Sequence, residues 1–435
     1  MPSFVWSVAG LFYLVFDSSN MDSKAKLLNY IDNTPVISNY FKLENISVLD
    51  LTVITYTLVL TLGGSFFYGD TDTEAFLSAA AAVISSTEVY SLPHSAYSPL
   101  PYVLFAAVLS PAKLLGYSIT TPYYLTILAL KAVFVGSLVI IVYLPSDVDR
   151  RLWALLVLGT PLTIYYTGFF GQSDALVALA VVSTLVAVHN DRWMLAGASA
   201  AVATSLKLYP AVMALVLVVR YRVHYREIIL GALPIACLTA GLIVGMAPES
   251  ILAALDTSHP FLLKDRPITT FSAQSLISAF LGQSTTLGLH LFPLTTGVAA
   301  VWAIRGDFSV PEIALMIPII PAVLVYPYAP VYRWLPVLLG LGYCAAIGTD
   351  LLRVYVTMLA GALSIRPLVY LLLMPVYKLP NFIGQDMRLS EQAAKPILSH
   401  WAWSSVTVLL LVSVLAILYT VSSEQSNSPI AAFLR

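Results

Sequence analysis

The chain has 435 residues, of which 59% are apolar and only 10% are charged, and its mean hydropathy is +0.84. Soluble domains carry about 25% charged residues, so this composition excludes a soluble globular protein and indicates a polytopic integral membrane protein. The net charge of -1 gives no electrostatic reason to expect a nucleic-acid partner.

Apolar segments recur along the whole chain and predict an all-α bundle of about 11–13 transmembrane helices. The segment Phe4–Phe16 is too short to cross a bilayer and is predicted to lie at the membrane interface. Residues 100–116 follow Pro99 and are predicted to be re-entrant or to lie on the surface. The predicted spans, in chain order, are 48–68, 121–144, 152–168, 173–189, 193–206, 208–219, 228–246, 285–304, 310–326, 333–348, 354–375 and 401–421.

No polar stretch is long enough to form a separate soluble domain. We therefore predict an N-terminal cytoplasmic or interfacial segment at 1–47 and a transmembrane module at 48–246, with its first outer loop at 69–120. A variable C-terminal transmembrane module at 247–435 completes the chain.

Basic residues orient the bundle, because short cytoplasmic loops collect Lys and Arg. The strongest basic loop is Arg220–Arg226, and fixing it inside also places Arg150, Arg192 and Arg305 inside. The predicted outer face then carries the acidic segment at 70–72, the segments 171–174 and 207–210, the loop at 247–270, and 332–333. Full crossing by residues 100–116 would instead move the acidic loop to the cytoplasmic side.

Two lysines stand out because each lies in an apolar context. Lys207 sits between two leucines and needs an acidic or phosphate partner. Lys131 lies about ten residues into its span, where an unpaired charge would cost several kcal/mol, so it should face a polar cavity or a counter-ion.

Three sequence elements resemble a known superfamily. Asp70-Thr71-Asp72-Thr73-Glu74-Ala75-Phe76, followed by Tyr97-Ser98-Pro99-Leu100, resembles the first outer loop of the GT-C membrane glycosyltransferases. Gly171-Gln172-Ser173-Asp174 and Lys207-Leu208-Tyr209-Pro210 resemble elements of polyprenol-phosphate-mannose-dependent mannosyltransferases. The paired acids are similar to the D-x-D of the enzymes that add the first mannose to glycosylphosphatidylinositol precursors. The chain as a whole also resembles phosphatidylinositol-mannoside mannosyltransferases.

The resemblance implies a GT-C-like bundle that transfers a hexose, mannose above all, from a polyprenyl phosphate to a lipid or glycan acceptor. Its partners would be that donor, the acceptor and membrane lipids. It implies an extracytoplasmic or lumenal active site, in the cell membrane of a prokaryote or the endoplasmic reticulum membrane of a eukaryote.

The chemistry of such a transfer assigns roles to the acids. One carboxylate must accept the proton of the acceptor hydroxyl, and a single base opposite the leaving group gives inversion. Asp72 is the predicted base, because Phe76 follows it by four residues as an aromatic does in related loops. Asp70 would orient the acceptor or assist a divalent metal. Related enzymes often need no metal, so no cofactor is predicted, although paired acids could bind Mg²⁺ or Mn²⁺.

A leaving phosphate is stabilised by cations and hydrogen-bond donors. The candidates for the donor phosphate are Lys207, Tyr209, Lys131 and Arg333. The candidates for sugar or acceptor hydroxyls are Gln172, Asp174, Tyr97 and His94. Helix capping explains Gln172 and Asp174 equally well, and interfacial anchoring is the simpler explanation of Tyr97.

Two other functions remain open at the level of the sequence. A transporter or a lipid or glycan flippase would also bury charge in a helical bundle, and Lys131 favours it. A scaffold would account for the hydrophobicity but leaves the ordered polar motifs unexplained.

Overall fold

The computed structural model describes residues 47–65, 71–87, 89, 99–116, 124–246, 287–324, 331–378 and 412–419. The chain divides into two compact units, Met1–Tyr56 and Thr57–Arg435. In the first unit, Ser47 and Asp50 cap the start of a helix, with the Ser47 amide and hydroxyl 2.9 and 2.7 Å from the Asp50 carboxylate. This reciprocal arrangement satisfies amides that the first helical turn leaves open.

The described ranges contain helices and no strand, which confirms the all-α fold class. Most of the helices match predicted spans, because continuous apolar sequence leaves the helix as the structure that satisfies its own backbone in lipid. The helix Thr71–Ile84 instead forms within the stretch predicted as the first outer loop, 69–120. The helices follow in chain order. Their bounds are α1 Val48–Ser65, α2 Thr71–Ile84, α3 Pro99–Leu114, α4 Tyr124–Tyr143, α5 Arg150–Gly159, α6 Pro161–Thr163, α7 Asp174–His189, α8 Trp193–Leu206, α9 Ala211–Arg220, α10 Tyr225–Met246, α11 Leu287–Arg305, α12 Ile313–Met316, α13 Ile319–Leu324, α14 Trp334–Ile347 and α15 Asp350–Lys378.

Within the described ranges, three helices are individually long and apolar enough to cross a membrane: the segments Leu125–Tyr143, Arg222–Met246 and Asp350–Leu372. A fourth candidate is a pair bent by 44°, Arg150–Gly159 and Pro161–Phe170. The chain therefore has the membrane-spanning helices of an integral membrane protein.

The bent pair replaces the single straight span predicted at 152–168. Thr160 is extended, with φ -73° and ψ 135°, and Pro161 follows it at the start of the next helix. Proline disfavours helical backbone in the residue before it, so the break falls at Thr160. Beyond Thr163 the helix widens into a π-helix at Ile164–Phe170, a form that is rare and is frequently found at functional sites.

Residues 310–326, predicted as one span, form the two short helices α12 and α13 within the described residues up to 324. Helix α3 agrees in position with the segment predicted at 100–116, and it buries one side that includes Tyr102, Phe105 and Leu109. Whether α3 crosses the membrane stays a prediction.

Helix α7 lies at the centre of the second unit and contacts α4, α8 and α14. Most of its residues are buried, including Asp174 at its start. Nearby, α8 and α10 approach so closely that a Cβ on Gly197 would lie 2.0 Å from the Ile228 carbonyl oxygen. Small residues permit such contacts between membrane helices. The two ends of α7, about 24 Å apart at 1.5 Å per residue, carry the two polar regions described next.

Candidate functional site

The start of α7 holds a buried ion pair. Lys207 Nζ lies 2.6 Å from Asp174 Oδ2, and the two side chains are 8% and 0% exposed. The expectation that Lys207 has an acidic partner is therefore confirmed. Removing two charges from water costs several kcal/mol per ion, so stability alone is a weak reason to keep such a pair.

Local backbone geometry delivers both residues to this point. Gly171 ends the π-helix with a positive φ of 81°, a conformation that glycine adopts without a steric penalty. Asp174 follows in the first turn of α7, where the helix dipole favours a negative charge. Ser173 is the N-cap and makes no side-chain capping bond, so the helix start does not depend on it. Lys207 leaves the end of α8 in an extended conformation.

Aromatic rings surround the pair. Lys207 Nζ lies 5.3 Å from the centroid of the Tyr332 ring, within the range of a cation–π contact. The Tyr332 ring stands edge-on to that of Tyr166 at 5.7 Å. The Tyr166 carbonyl in turn accepts the Gln172 backbone N–H at 2.8 Å, and the Gln172 side chain is buried. The π-helix, α7 and the segment at 331–333 therefore meet around Lys207.

Tyr209 lies in the turn between α8 and α9, outside the helices. Its hydroxyl oxygen is buried and has no hydrogen-bond partner among the residues that the structure describes. Burial raises the pKa of the Tyr209 phenol well above its ordinary value, the Asp174 charge adds to this effect, and the Arg333 charge opposes it. The phenol is therefore a neutral donor placed close to both an acid and a guanidinium.

Five residues predicted from separate parts of the sequence thus come together with Tyr332. We call this group the Asp174 cluster; its members are Gln172, Asp174, Lys207, Tyr209, Tyr332 and Arg333. It offers two cations and a buried hydroxyl, which is the chemistry that an anionic ligand requires.

Lys131 is buried and makes hydrogen bonds to two parts of the chain. Its side chain is 1% exposed, and its ammonium donates to the backbone carbonyls of Gly64 and Phe169, the latter at 2.6 Å. These carbonyl oxygens are polar partners for the buried ammonium, as the sequence led us to expect of a charge in an apolar span. A direct contact between Lys131 and a phosphate stays a prediction.

These bonds connect the end of α1 with the π-helix. A Cβ on Gly64 would lie 2.2 Å from the Gly168 carbonyl oxygen, so the end of α1 packs directly on the π-helix. The acidic segment at 70–72 follows α1, and Gln172 follows the π-helix. Lys131 thus joins the end of α1, which leads into the acidic segment, to the π-helix, which leads into the Gln172 motif.

Helix α2 is anchored by three phenylalanines. Phe76 is fully buried, with ring centroids 4.8 Å from Phe105 and 6.4 Å from Phe134. Phe134 lies on α4 one turn beyond Lys131, so α4 supports α1 and α2 together. Asp72 is the second residue of α2, and its side chain lies outside the described part of the structure. Asp70, His94 and Tyr97 also lie outside the described residues.

The opposite end of α7 holds a second polar group, the His189 cluster, made of Asp147, His189 and Glu312. His189 Nε2 lies 2.9 Å from Asp147 Oδ2, and Nδ1 lies 2.9 Å from Glu312 Oε1. The Glu312 side chain is 5% exposed, whereas those of Asp147 and His189 are about one-third exposed. Sequence reasoning missed this cluster because its members are 35 or more positions apart and follow no motif.

Basic residues predicted to share one face are found at this end. Arg220 donates to the carbonyls of Ala303 and Gly306 at 2.7 and 2.6 Å. The His224 ring stacks on Trp193 with centroids 4.3 Å apart. The structure therefore separates the basic loops from the Asp174 cluster along α7.

The described residues hold no group of three His, Cys, Asp or Glu side chains arranged to bind a metal ion. Asp70 and the Asp72 side chain are not among those described, so metal binding by the paired acids stays untested.

Comparison with known protein families decides the class. The model of glycosyltransferase family 87 matches residues 97–327, which is more than half of the chain. The chain belongs to glycosyltransferase family 87. The comparisons with curated proteins and with solved structures returned no match.

Membership of family 87 confirms the expected class, a membrane glycosyltransferase of the GT-C type. The matched region includes Lys131, Gln172, Asp174, Lys207 and Tyr209. The acids at 70 and 72 precede it, and Arg333 follows it.

Proposed function

We propose that this family 87 protein transfers mannose from a polyprenyl-phosphate donor to a lipid or glycan acceptor, with inversion, at the extracytoplasmic face of its membrane. The observation that carries the proposal is the buried Asp174–Lys207 pair beneath Tyr332, with Tyr209 and Arg333 beside it. A sugar linked to a lipid phosphate leaves behind an anion, and this cluster supplies cations and a donor hydroxyl where water is excluded.

The donor phosphate takes its place among Lys207, Tyr209 and Arg333. Lys207 already bears a counter-ion in Asp174, so an incoming phosphate would share the ammonium's three donors with that carboxylate. Tyr209 donates its buried hydroxyl, and Arg333 adds a planar guanidinium suited to phosphate oxygens. Charge-assisted bonds of this kind are about twice as strong as neutral ones.

Asp72 acts as the general base. It accepts the proton of the acceptor hydroxyl while that oxygen attacks the anomeric carbon, and the bond from that carbon to the phosphate oxygen breaks on the opposite face. Polyprenyl phosphate leaves with the bonding electrons. The anchoring of α2 by Phe76 supports this role, because a base must be held in place while the proton moves.

Asp70 orients the acceptor, and Gln172 and Asp174 bind hydroxyl groups of the sugar or acceptor. Asp174 also holds Lys207 in position, a role that the ion pair between them supports. Tyr97 and His94 are proposed to contact the acceptor from the outer loop. No step in this scheme requires a metal.

The orientation of the bundle follows from the separation of charge along α7. Short cytoplasmic loops collect basic residues, and the end of α7 near the basic loops is opposite the Asp174 cluster. The cluster then faces the extracytoplasmic side or the lumen.

The experiment that tests the proposal is transfer by the purified protein in nanodiscs, from radiolabelled polyprenyl-phosphate-mannose to a crude lipid extract. Matched donors carrying glucose or arabinose test the sugar. The variants are Asp72→Asn and the control Asp147→Asn, which removes an equivalent charge from the His189 cluster.

Mannose transfer by the wild type and the control, lost in Asp72→Asn, is the expected result. Transfer from another donor alone would replace mannose in the proposal, and equal transfer by Asp72→Asn and the wild type would remove Asp72 as the base. The bonds from Lys131 to the Gly64 and Phe169 carbonyls offer a structural explanation of its buried charge beside the transporter hypothesis.

A further inference from the structure

A buried arginine lies in the membrane-spanning helix α15, outside every motif described above. Arg366 is only 6% exposed, and its Nε donates to the Tyr370 hydroxyl at 2.5 Å. Its guanidinium also lies 5.1 Å from the centroid of the Tyr370 ring. Ionisable residues inside membrane helices are costly and rare, and they commonly mark a substrate or ion path.

Arg366 lies at the depth of the Asp174 cluster. Helix α15 begins at Asp350, and Arg353 in its first turn donates to the Ala345 carbonyl near the end of α14. Because α14 starts directly after Arg333, that end of α14 is the one away from the cluster. Arg366 follows Asp350 by 16 residues, about 24 Å of helix, which returns it to the level at which α7 begins.

A continuous row of aromatic rings joins Arg366 to Lys207. The Tyr370 ring lies 5.2 Å from that of Tyr165 on the π-helix, and Tyr165 lies 4.9 Å from Tyr166. Tyr166 contacts Tyr332, over which Lys207 lies. We call these four rings the tyrosine row; it has a cation at each end.

We infer that Arg366 binds a phosphate oxyanion of a membrane lipid at the second end of the tyrosine row. The inference rests on the proposed function for its lipid-phosphate chemistry. Two lipids present that oxyanion. The headgroup of an anionic acceptor would bind Arg366 while the donor phosphate occupies the Asp174 cluster, whereas the phosphate of the polyprenyl donor would occupy Arg366 instead of that cluster. The planar guanidinium of Arg366 carries N–H donors that match two phosphate oxygens. The hydrogen bond from Nε to the Tyr370 hydroxyl orients this guanidinium.

The test measures binding of radiolabelled farnesyl phosphate to the purified protein in neutral detergent, with farnesol as the probe that lacks phosphate. Dioleoyl phosphatidylglycerol serves as a competing anionic headgroup. Arg366→Gln removes the charge while keeping a donor for the Tyr370 hydroxyl, and Arg366→Lys keeps the charge. Arg353→Met is the control, since Arg353 lies on the same helix at the opposite end.

We expect Arg366→Gln to lower the preference for farnesyl phosphate over farnesol about tenfold or more, the scale of a charge-assisted bond. Arg366→Lys should retain most of that preference, and Arg353→Met should equal the wild type. If Arg366→Gln keeps farnesyl phosphate but loses competition by phosphatidylglycerol, the oxyanion belongs to an acceptor headgroup. Wild-type values for both probes in Arg366→Gln would overturn the inference and leave a structural Arg–Tyr pair.

A second measurement uses the wild-type protein and therefore tests the inference even if Arg366→Gln fails to fold. A farnesyl phosphate analogue with a diazirine beside the phosphate is photolysed on the wild-type protein, and the labelled peptides are mapped. Labelling at Tyr165, Arg366 or Tyr370 supports the inference, and labelling confined to other segments contradicts it. Loss of sugar transfer with these binding results intact would reject the proposed reaction but not the phosphate site.

Discussion

The two ends of α7 carry ionic groups of similar composition in different surroundings. At the Asp174 end, a fully buried carboxylate pairs with Lys207 beneath an aromatic ring, beside a buried hydroxyl with no partner among the described residues. At the His189 end, the imidazole uses both nitrogens on carboxylates, and two of the three side chains are about one-third exposed. The first arrangement leaves the Tyr209 hydroxyl without a partner among the described residues, whereas the second joins α7 to two neighbouring segments.

The largest expected effect concerns Asp72, the proposed general base. Asp72→Asn should lower kcat by about 10²–10⁴-fold, because the amide cannot accept the acceptor's proton. Asp147→Asn should leave kcat within about twofold of the wild type, since that residue lies at the far end of α7. Steady-state transfer in nanodiscs measures both, and similar losses in the two variants would erase the contrast between the ends.

The buried ion pair comes next. Lys207→Met removes the ammonium that pairs with the buried Asp174 carboxylate and should reduce stability by about 3–5 kcal/mol. The double variant Lys207→Met/Asp174→Asn should recover much of that stability while its KM for the donor stays raised. Thermal unfolding and donor titration separate the two roles, and a double variant with a wild-type KM would make the pair purely structural.

Neighbouring glycines test the joint between α1 and the π-helix. Gly64→Ala places a Cβ 2.2 Å from the Gly168 carbonyl oxygen, whereas a Cβ on Gly63 meets nothing within 4 Å. We expect Gly64→Ala to cost about 1–3 kcal/mol through overpacking, and to lower kcat at least tenfold by displacing the acidic segment, since an error of about 1 Å can cost 10²-fold. Gly63→Ala should be near neutral in both assays, and equal behaviour of the two would argue against a tight joint.

The smallest effect on transfer is expected at the His189 end. His189→Ala removes a hydrogen-bond partner from buried Glu312 and should cost about 1–3 kcal/mol of stability. Its kcat and KM, corrected for the folded fraction, should match the wild type. A raised donor KM at full folding would show that the two ends are coupled.

Sequence patterns predicted the helices and much of the cluster. Long apolar runs predicted the helix positions, because a backbone that crosses a membrane must make its hydrogen bonds within the helix. The apolar neighbours of Lys207 predicted that its charge has a partner. Pro161 in the sequence accounts for the helix break at Thr160. The π-helix that follows packs against α1 at Gly168, and no sequence motif predicted it. Arg366 was missed although it interrupts a predicted span as Lys131 does; its contact with Tyr370, which in turn contacts Tyr165, relates it to the site.

The most direct test of the central claim compares Tyr209→Phe with Tyr343→Phe in the transfer assay. Both hydroxyls are buried without a hydrogen-bond partner among the described residues, and they lie near opposite ends of α7, Tyr209 close to Asp174 and Tyr343 beside His189. Each substitution removes one oxygen and breaks no bond seen in the structure, so stability should change little. The account predicts that Tyr209→Phe lowers kcat/KM for the donor about 10-fold to 100-fold, as the loss of a transition-state donor does, while Tyr343→Phe leaves it unchanged. Equal activity in the two variants would contradict the assignment of the Asp174 cluster as the place where the lipid phosphate binds.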